Sequence, residues 1–249
     1  MMSLGAALSC LSGGLISNYN EVLEEAPFSP LDLSPVLWFD ASDASTITES
    51  AGAVSQWDDK SGNALHATQG TGSSQPTTGV TTLNGLNVLD FANDKLLLPD
   101  LSAYFNGSQN RTVISVVVTD SSTYNTIINI GNSAYTGSRF TFQGHNGNLS
   151  IALQGAFFNS TLVSTSWGIA AANFDGTQLK DVDLYFGGGT PQASTSTTAL
   201  NTDASVSNII GDTNSIGEIL AFDRALSASE MNQIGQYIAD KWALTWTEL

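Results

Sequence analysis

The run Thr112–Thr119, TVISVVVT, constrains this chain more than any other stretch. It is a β-branched segment dense enough to be buried on both faces. Other segments alternate. Phe140 and Phe142 fall on one face of a strand and Thr141 and Gln143 on the other. Leu149, Ile151 and Leu153 alternate with Ser150, Ala152 and Gln154. Trp167–Phe174, Val182–Phe186, Val206–Ile210 and Glu218–Phe222 read as further strands. Asn84-Gly85, Asn106-Gly107, Asn146-Gly147 and Asp175-Gly176 punctuate them, supplying the positive φ of tight turns. Many short strands with regular turns predict an all-β, two-sheet antiparallel sandwich of the jelly-roll type.

The 249 residues suit one large β domain. Only 7 Lys and Arg stand against 23 Asp and Glu, a formal net charge of -16. So little basic surface argues against nucleic-acid binding, which depends on releasing counterions from phosphates. It also disfavours anionic membranes. No apolar run reaches the ~18 residues a spanning helix needs, so no membrane insertion is expected. The single cysteine, Cys10, has no internal partner.

Ser227 followed by Glu230 is a capping box, and Met231, Ile234, Ile238 and Trp242 recur at helical spacing. This predicts one C-terminal helix lying across the sandwich edge with Trp242 buried. Residues 1–34 read as an N-terminal docking arm and linker, ahead of the domain at 35–249. The arm is rich in Gly, Ser and small apolar residues, ends in Pro27 and Pro30, and lacks the basic residues of a signal peptide.

Several phrases occur in order: VLWFDASD (Val36–Asp43), VSQWDDKSGNALHAT (Val54–Thr68), WGIAAANFDGT (Trp167–Thr177), LYFGGG (Leu184–Gly189) and GEILAFDRALSASE (Gly217–Glu230). Together they resemble the concanavalin A-like lectin/glucanase superfamily in its laminin-G-like branch. The likeness spans roughly residues 35–243. It implies a jelly roll of about a dozen strands and does not fix one function. Trp38, Trp57 and Trp167 sit in apolar strand patterns and are read as core. His66, just after the Ser61-Gly62-Asn63 turn, is read as a hydrogen-bonded structural histidine.

Catalysis is not expected. Glucanases of the superfamily set two glutamates on one strand, and no glutamates here show that spacing. Glu218 and Asp223, five apart, fall on opposite faces of a strand, whereas a retaining pair stands about 5–5.5 Å apart. The resemblance does suggest a calcium ion at a sandwich rim, since hard cations take carboxylate and carbonyl oxygens from loops. The candidate ligands are Asp40, Asp43, Asp58, Asp59 and Asn63. The alternative is that Asp58 and Asp59 cap turn amides without metal. Sugar recognition needs aromatic faces beside amide and hydroxyl groups. The candidates are Tyr124, Asn125, Tyr135, Arg139, His145, Asn146 and, in the pair Phe157-Phe158, Phe158, all read as sitting at turns.

Laminin-G-like domains with a short arm resemble bacteriophage fibres, spikes and tail-tip components. The expected function is a noncatalytic virion protein for adhesion or glycan binding. Its expected partners are other virion proteins and further copies of itself, through residues 1–30, and a host-surface glycan. A capsid-decoration or tail subunit and a secreted bacterial adhesin are the alternatives.

Overall fold

The computed structural model describes residues 27–206 and 208–249. Most of the arm therefore lies outside the described residues. The strands in chain order are β1 (Leu37–Asp40), β2 (Ile47–Ser50), β3 (Ala53–Trp57), β4 (Ala67–Thr68), β5 (Thr77–Leu83) and β6 (Leu86–Ala92). Then come β7 (Leu96–Leu97), β8 (Arg111–Thr119), β9 (Asn125–Gly131), β10 (Arg139–His145), β11 (Asn148–Leu153) and β12 (Ala156–Val163). The last are β13 (Gly168–Phe174), β14 (Val182–Phe186), β15 (Gln192–Ala193), β16 (Ile209–Ile210) and β17 (Thr213–Phe222). A one-turn helix, α1 (Ser102–Phe105), precedes β8, and α2 (Ala228–Trp242) follows β17.

The pairing is antiparallel and makes two layers. In the first, β17 pairs with β8 on one side; on the other it pairs with β6 and then β1. β5 joins β6, and β13, β14 and β15 extend the layer beyond β8. In the second layer β16 joins β7 to β9, and β10, β11 and β12 follow as a meander. The Asn84-Gly85 and Asn146-Gly147 hairpins have both residues at positive φ, as expected of these dipeptides.

β8 is buried on both faces, as its sequence requires. Val113 and Val117 join Phe140, Phe142, Ile151 and Phe174 in the core between the layers. Ile114 and Val116 point the other way, into a second apolar cluster with Ile169, Ala171, Leu220 and Phe222. That outward cluster needs a cover, and α2 supplies it with Met231, Ile234, Ile238 and Trp242. The helix thus lies on the outer face of the first layer, not across the sandwich edge as the sequence suggested. The small and branched residues of β8 and β13 leave that face apolar, and burying it is what fixes the helix there. The capping box forms as predicted: Ser227 Oγ accepts from the Glu230 amide, and a Glu230 carboxylate oxygen accepts from the Ser227 amide at 2.9 Å.

One polar group sits inside this apolar contact. Gly217 is an extra residue in β17, since Ile216 pairs with Val117 and Glu218 with Val116. The bulge re-aims the strand so that Glu218 faces the helix. A side chain at Gly217 would run into the Trp242 ring, with a Cβ 2.8 Å from its nearest atom. Glu218 is fully buried, yet its carboxylate is satisfied. It accepts from Trp38 Nε1 at 2.8 Å, Trp242 Nε1 at 2.6 Å and Lys241 Nζ at 2.8 Å. Lys241 also pairs with Asp40 at 2.7 Å. Burial pushes the Glu218 carboxyl up, and Lys241 opposes that push.

Residues 27–34, the described part of the predicted arm, pack on the domain. Phe28 meets Tyr237 of α2 edge-on at 6.0 Å, Pro30 is buried, and the Leu33 carbonyl accepts from Arg224. Trp38 and Trp57 are core, as expected, whereas Trp167 is half-buried against the helix-side cluster.

Removing the Glu218 acceptor strands two buried indole N–H groups, each costing about 1–3 kcal/mol. Glu218→Leu should therefore lower unfolding free energy by about 3–5 kcal/mol in urea melts. Glu218→Gln, which keeps an acceptor, should cost less. A loss below about 1 kcal/mol for Glu218→Leu would show that the contact is held by packing alone.

Candidate functional site: a groove on the β9–β12 face

Among the described residues, the outer face of the second layer carries no helix. The inward residues of β10 and β11 are the apolar set, so the polar set faces out. Thr141 pairs across the ladder with Asn129 and Ala152, and Gln143 with Thr126 and Ser150. A bulge in β9 decides which of its residues join them. Phe142 pairs with Ile128 and Gln143 with Thr126, leaving Ile127 extra, and both isoleucines go to the core. Without that bulge Asn125, not Thr126, would share a face with Asn129.

Two adjoining recesses, of about 690 and 470 Å³, lie on this face and share Tyr124, Arg139 and Ala152. Either volume is in the ordinary range of ligand pockets. The larger is floored by Thr126, Asn129, Thr141 and Gln143, with Lys95 and Arg139 among its lining residues. The smaller runs past His145 to Phe157. Tyr124 is 60% exposed and Phe157 is 42% exposed. The His145 ring stands between them, 5.4 Å from Tyr124 and 4.6 Å from Phe157, making an aromatic wall.

The floor holds buried hydrogen-bonding capacity that the protein leaves unused. Gln143 is only 3% exposed, and its Nε2 has no hydrogen-bond partner. Arg139 Nε and His145 Nδ1 are likewise buried and unpartnered. The Arg139 guanidinium donates through Nη1 to Ser133 Oγ at 3.2 Å. Thr141 Oγ1 donates to Asn129 Oδ1 at 2.6 Å, and Asn129 Nδ2 donates to the Gly131 carbonyl, so this part of the floor is fixed. Gln143, Arg139 and His145, each with a buried polar atom that lacks a partner among the described residues, thus belong to the lining of the two recesses.

Of the sugar-binding candidates, Tyr124, Arg139 and His145 come together in the groove. Asn125 is fully buried and donates to Ser122 Oγ at 2.9 Å, because the β9 bulge turns it away. Phe158 packs against the core opposite Ile151, and its neighbour Phe157 takes the groove position. Tyr135 is exposed on the loop after β9, outside the lining, and Asn146 sits at the hairpin tip with Nδ2 3.1 Å from His145 Nε2. Lys95, Asn129, Thr141 and Gln143 were missed. The alternation of β10 is the sequence signal that puts Thr141 and Gln143 on the outward face.

The proposed calcium ligands form a different arrangement. Lys60 Nζ sits 2.9 Å from both Asp40 and Asp43, so a cation there would have to displace the lysine. The Lys60 hydrogen bond, with help from Ser45, holds the Asp43 carboxyl down at about 2. Asp59 accepts from the Trp38, Ser61 and Leu65 amides. Asp58 accepts from Gln56 at 2.7 Å and faces His66 at 3.2 Å, while Asn63 donates to the Val36 carbonyl. His66 Nδ1 also accepts from the Asp59 amide at 3.1 Å. No cluster of three or more acidic, histidine or cysteine side chains suited to a metal occurs among the described residues. Nor is any described helix long and apolar enough to cross a membrane.

No protein-family model matches this chain, and no curated protein sequence matches it. Solved structures do. Domain 4 of AbnA, an extracellular GH43 arabinanase from Geobacillus stearothermophilus solved with arabinotriose, aligns with a TM-score of 0.57 at 15% identity. The alignment covers 82% of this chain and 98% of that domain. The receptor-binding domain of botulinum neurotoxin D aligns at 0.55 and 16% identity, over 83% of this chain and 53% of the toxin chain. Trypanosoma rangeli sialidase in complex with sialic acid aligns at 0.56 and 10% identity, over 86% of this chain and 34% of the enzyme. This chain thus spans about half of the toxin chain and a third of the sialidase. At such identities the likeness is one of fold, an antiparallel β-sandwich.

The two phenylalanines should separate cleanly. Phe158→Ala should cost about 2–3 kcal/mol in chemical denaturation, because it removes a ring packed on the core. Phe157→Ala, a surface change, should stay within about 0.5 kcal/mol. Equal costs would mean that the β12 register is assigned wrongly.

Proposed function

We propose that this protein is a noncatalytic glycan-binding module whose site is the groove over β9–β12. The observation that carries the reading is the pairing of exposed aromatic rings with buried, unsatisfied donors. Tyr124 and Phe157 flank a floor in which Gln143 Nε2 and Arg139 Nε lack partners. Sugars need both surfaces, since C–H faces stack on rings while hydroxyls take up amide and guanidinium hydrogens. The fold is compatible, since a similar domain was solved with arabinotriose and another is named for receptor binding. Both similar domains fit a binding role better than a catalytic one.

The wider role we propose is adhesion from a virion, with the arm joining the module to other virion proteins or to its own copies. Support for this comes from the ordered laminin-G-like phrases and the small-residue character of residues 1–26. Fractionating particles from the source should recover the protein with them, and deletion of residues 1–26 should leave folding intact while abolishing incorporation. Recovery only in the particle-free medium would sink the virion assignment.

Tyr124→Ala and Phe157→Ala should each weaken binding on a glycan array by about three- to tenfold without changing the melting temperature. Full binding by both variants would put the site elsewhere on the sandwich.

A further inference from the structure

The cations of this chain are few enough to follow one by one. Seven Lys and Arg face 23 Asp and Glu. Lys60, Lys180, Lys241 and Arg224 each stand within 4.0 Å of a carboxylate. Arg111 is fully buried and donates to the Phe105 and Gly107 carbonyls, the Gln109 carbonyl and Thr202. Two cations remain, Lys95 and Arg139. Neither has a carboxylate within 4.0 Å among the described residues, and both line the same groove.

That coincidence is chemically specific. On a surface with more than three acids per base, an exposed cation finds a protein carboxylate easily. Two cations that line one recess without an ion pair to any described carboxylate leave a positive spot inside a negative field. Asp212 is a carboxylate that senses Lys95 from beyond ion-pair distance; burial pushes its carboxyl up and Lys95 opposes that push. Arg139 offers more than charge. Its Nε is buried without a partner and Nη1 is engaged only by Ser133 Oγ, so the fork retains donors for a planar acceptor. Gln143 Nε2, also buried and unpartnered, adds a neutral donor on the floor.

We propose that the groove selects a saccharide bearing a carboxylate, a uronic or sialic-type acid sugar. Its carboxylate meets the Arg139 fork with Lys95 beside it, and its ring lies toward Tyr124 and Phe157. The inference rests on the glycan-binding reading of the same groove and adds the ligand's charge to it. The screened potential of a -16 molecule repels anions in bulk, so recognition depends on these short contacts.

The test is a matched panel measured by calorimetry on the full chain: 3′-sialyllactose against lactose, and oligogalacturonate against its methyl ester, which keeps the skeleton and removes the charge. The acid member of at least one pair should bind about ten- to a hundredfold more tightly than its neutral partner, the worth of a charge-assisted hydrogen bond. Arg139→Gln should erase that preference while leaving the melting temperature unchanged. Arg139→Lys should restore it in part, and Lys95→Gln should reduce it. If Arg139→Gln misfolds, Lys95→Gln alone carries the test, since that side chain is exposed.

Acid and neutral members bound equally, or an acid preference untouched by all three variants, would overturn the charge inference and leave the glycan reading standing. No binding to any member of the panel or of a broad glycan array would overturn both. Equal binding of inorganic phosphate and the acid sugars would reduce the groove to a simple anion sink and would likewise overturn the inference.

Discussion

The arrangement of this molecule depends on one buried carboxylate. Glu218 lies between the first sheet and α2 and takes hydrogens from two tryptophans and a lysine. An uncompensated carboxylate in such a place would be intolerable, so each partner is obligatory. The partners come from far apart in the chain: Trp38 from β1, Lys241 and Trp242 from the last turn of α2. Through Lys241 the network reaches Asp40, and through Lys60 it reaches Asp43 and the face of the Trp38 ring. One acid therefore ties the first strand, the last strand and the closing helix together. Apolar packing would hold the helix against the sheet, but it is non-directional. The directed contacts to Glu218 set where along the sheet the helix stops.

Both layers depend on a single inserted residue. In β17 the extra Gly217 turns Glu218 toward the helix and makes room for the Trp242 ring. In β9 the extra Ile127 sends two successive isoleucines to the core and puts Thr126 and Asn129 together on the outside. A strand has a side-chain period of two, so one added residue reverses every assignment beyond it. The clasp and the groove are thus consequences of the same device used on opposite sides of the sandwich.

This explains what could and could not be read from the sequence. Period and composition give the sheet-rich fold, the two buried faces of β8, the capping box and the helical stripe, because each is a local pattern. The many short strands with regular turn signals likewise imply the two-layer sandwich. Bulges are not local patterns, so the sequence does not show that Asn125 turns inward or that Glu218 faces the helix. Nor does it show which of Phe157 and Phe158 faces out, because two adjacent rings give no parity until the register with β11 is known. Asp40 and Asp43 meet Lys60 and Lys241, which nothing near them in sequence announces, since the lysines arrive from 17 residues or more away.

The two outer faces of the sandwich divide the work. The first layer ends in Ile114, Val116, Leu220 and Phe222, an apolar face that water disfavours and a helix covers. The second ends in Thr126, Asn129, Thr141 and Gln143, with two cations in the lining that form no ion pair within 4.0 Å among the described residues. That polar face needs no cover for stability, yet several of its donors are buried without partners. Leaving such groups unsatisfied costs stability, and no partner for them occurs among the described residues. Substitutions should therefore separate by face: those under the helix act on folding, whereas those in the groove act on what the protein binds. The glycan-binding reading proposed for the groove would account for such a cost, since a bound ligand would supply the missing partners.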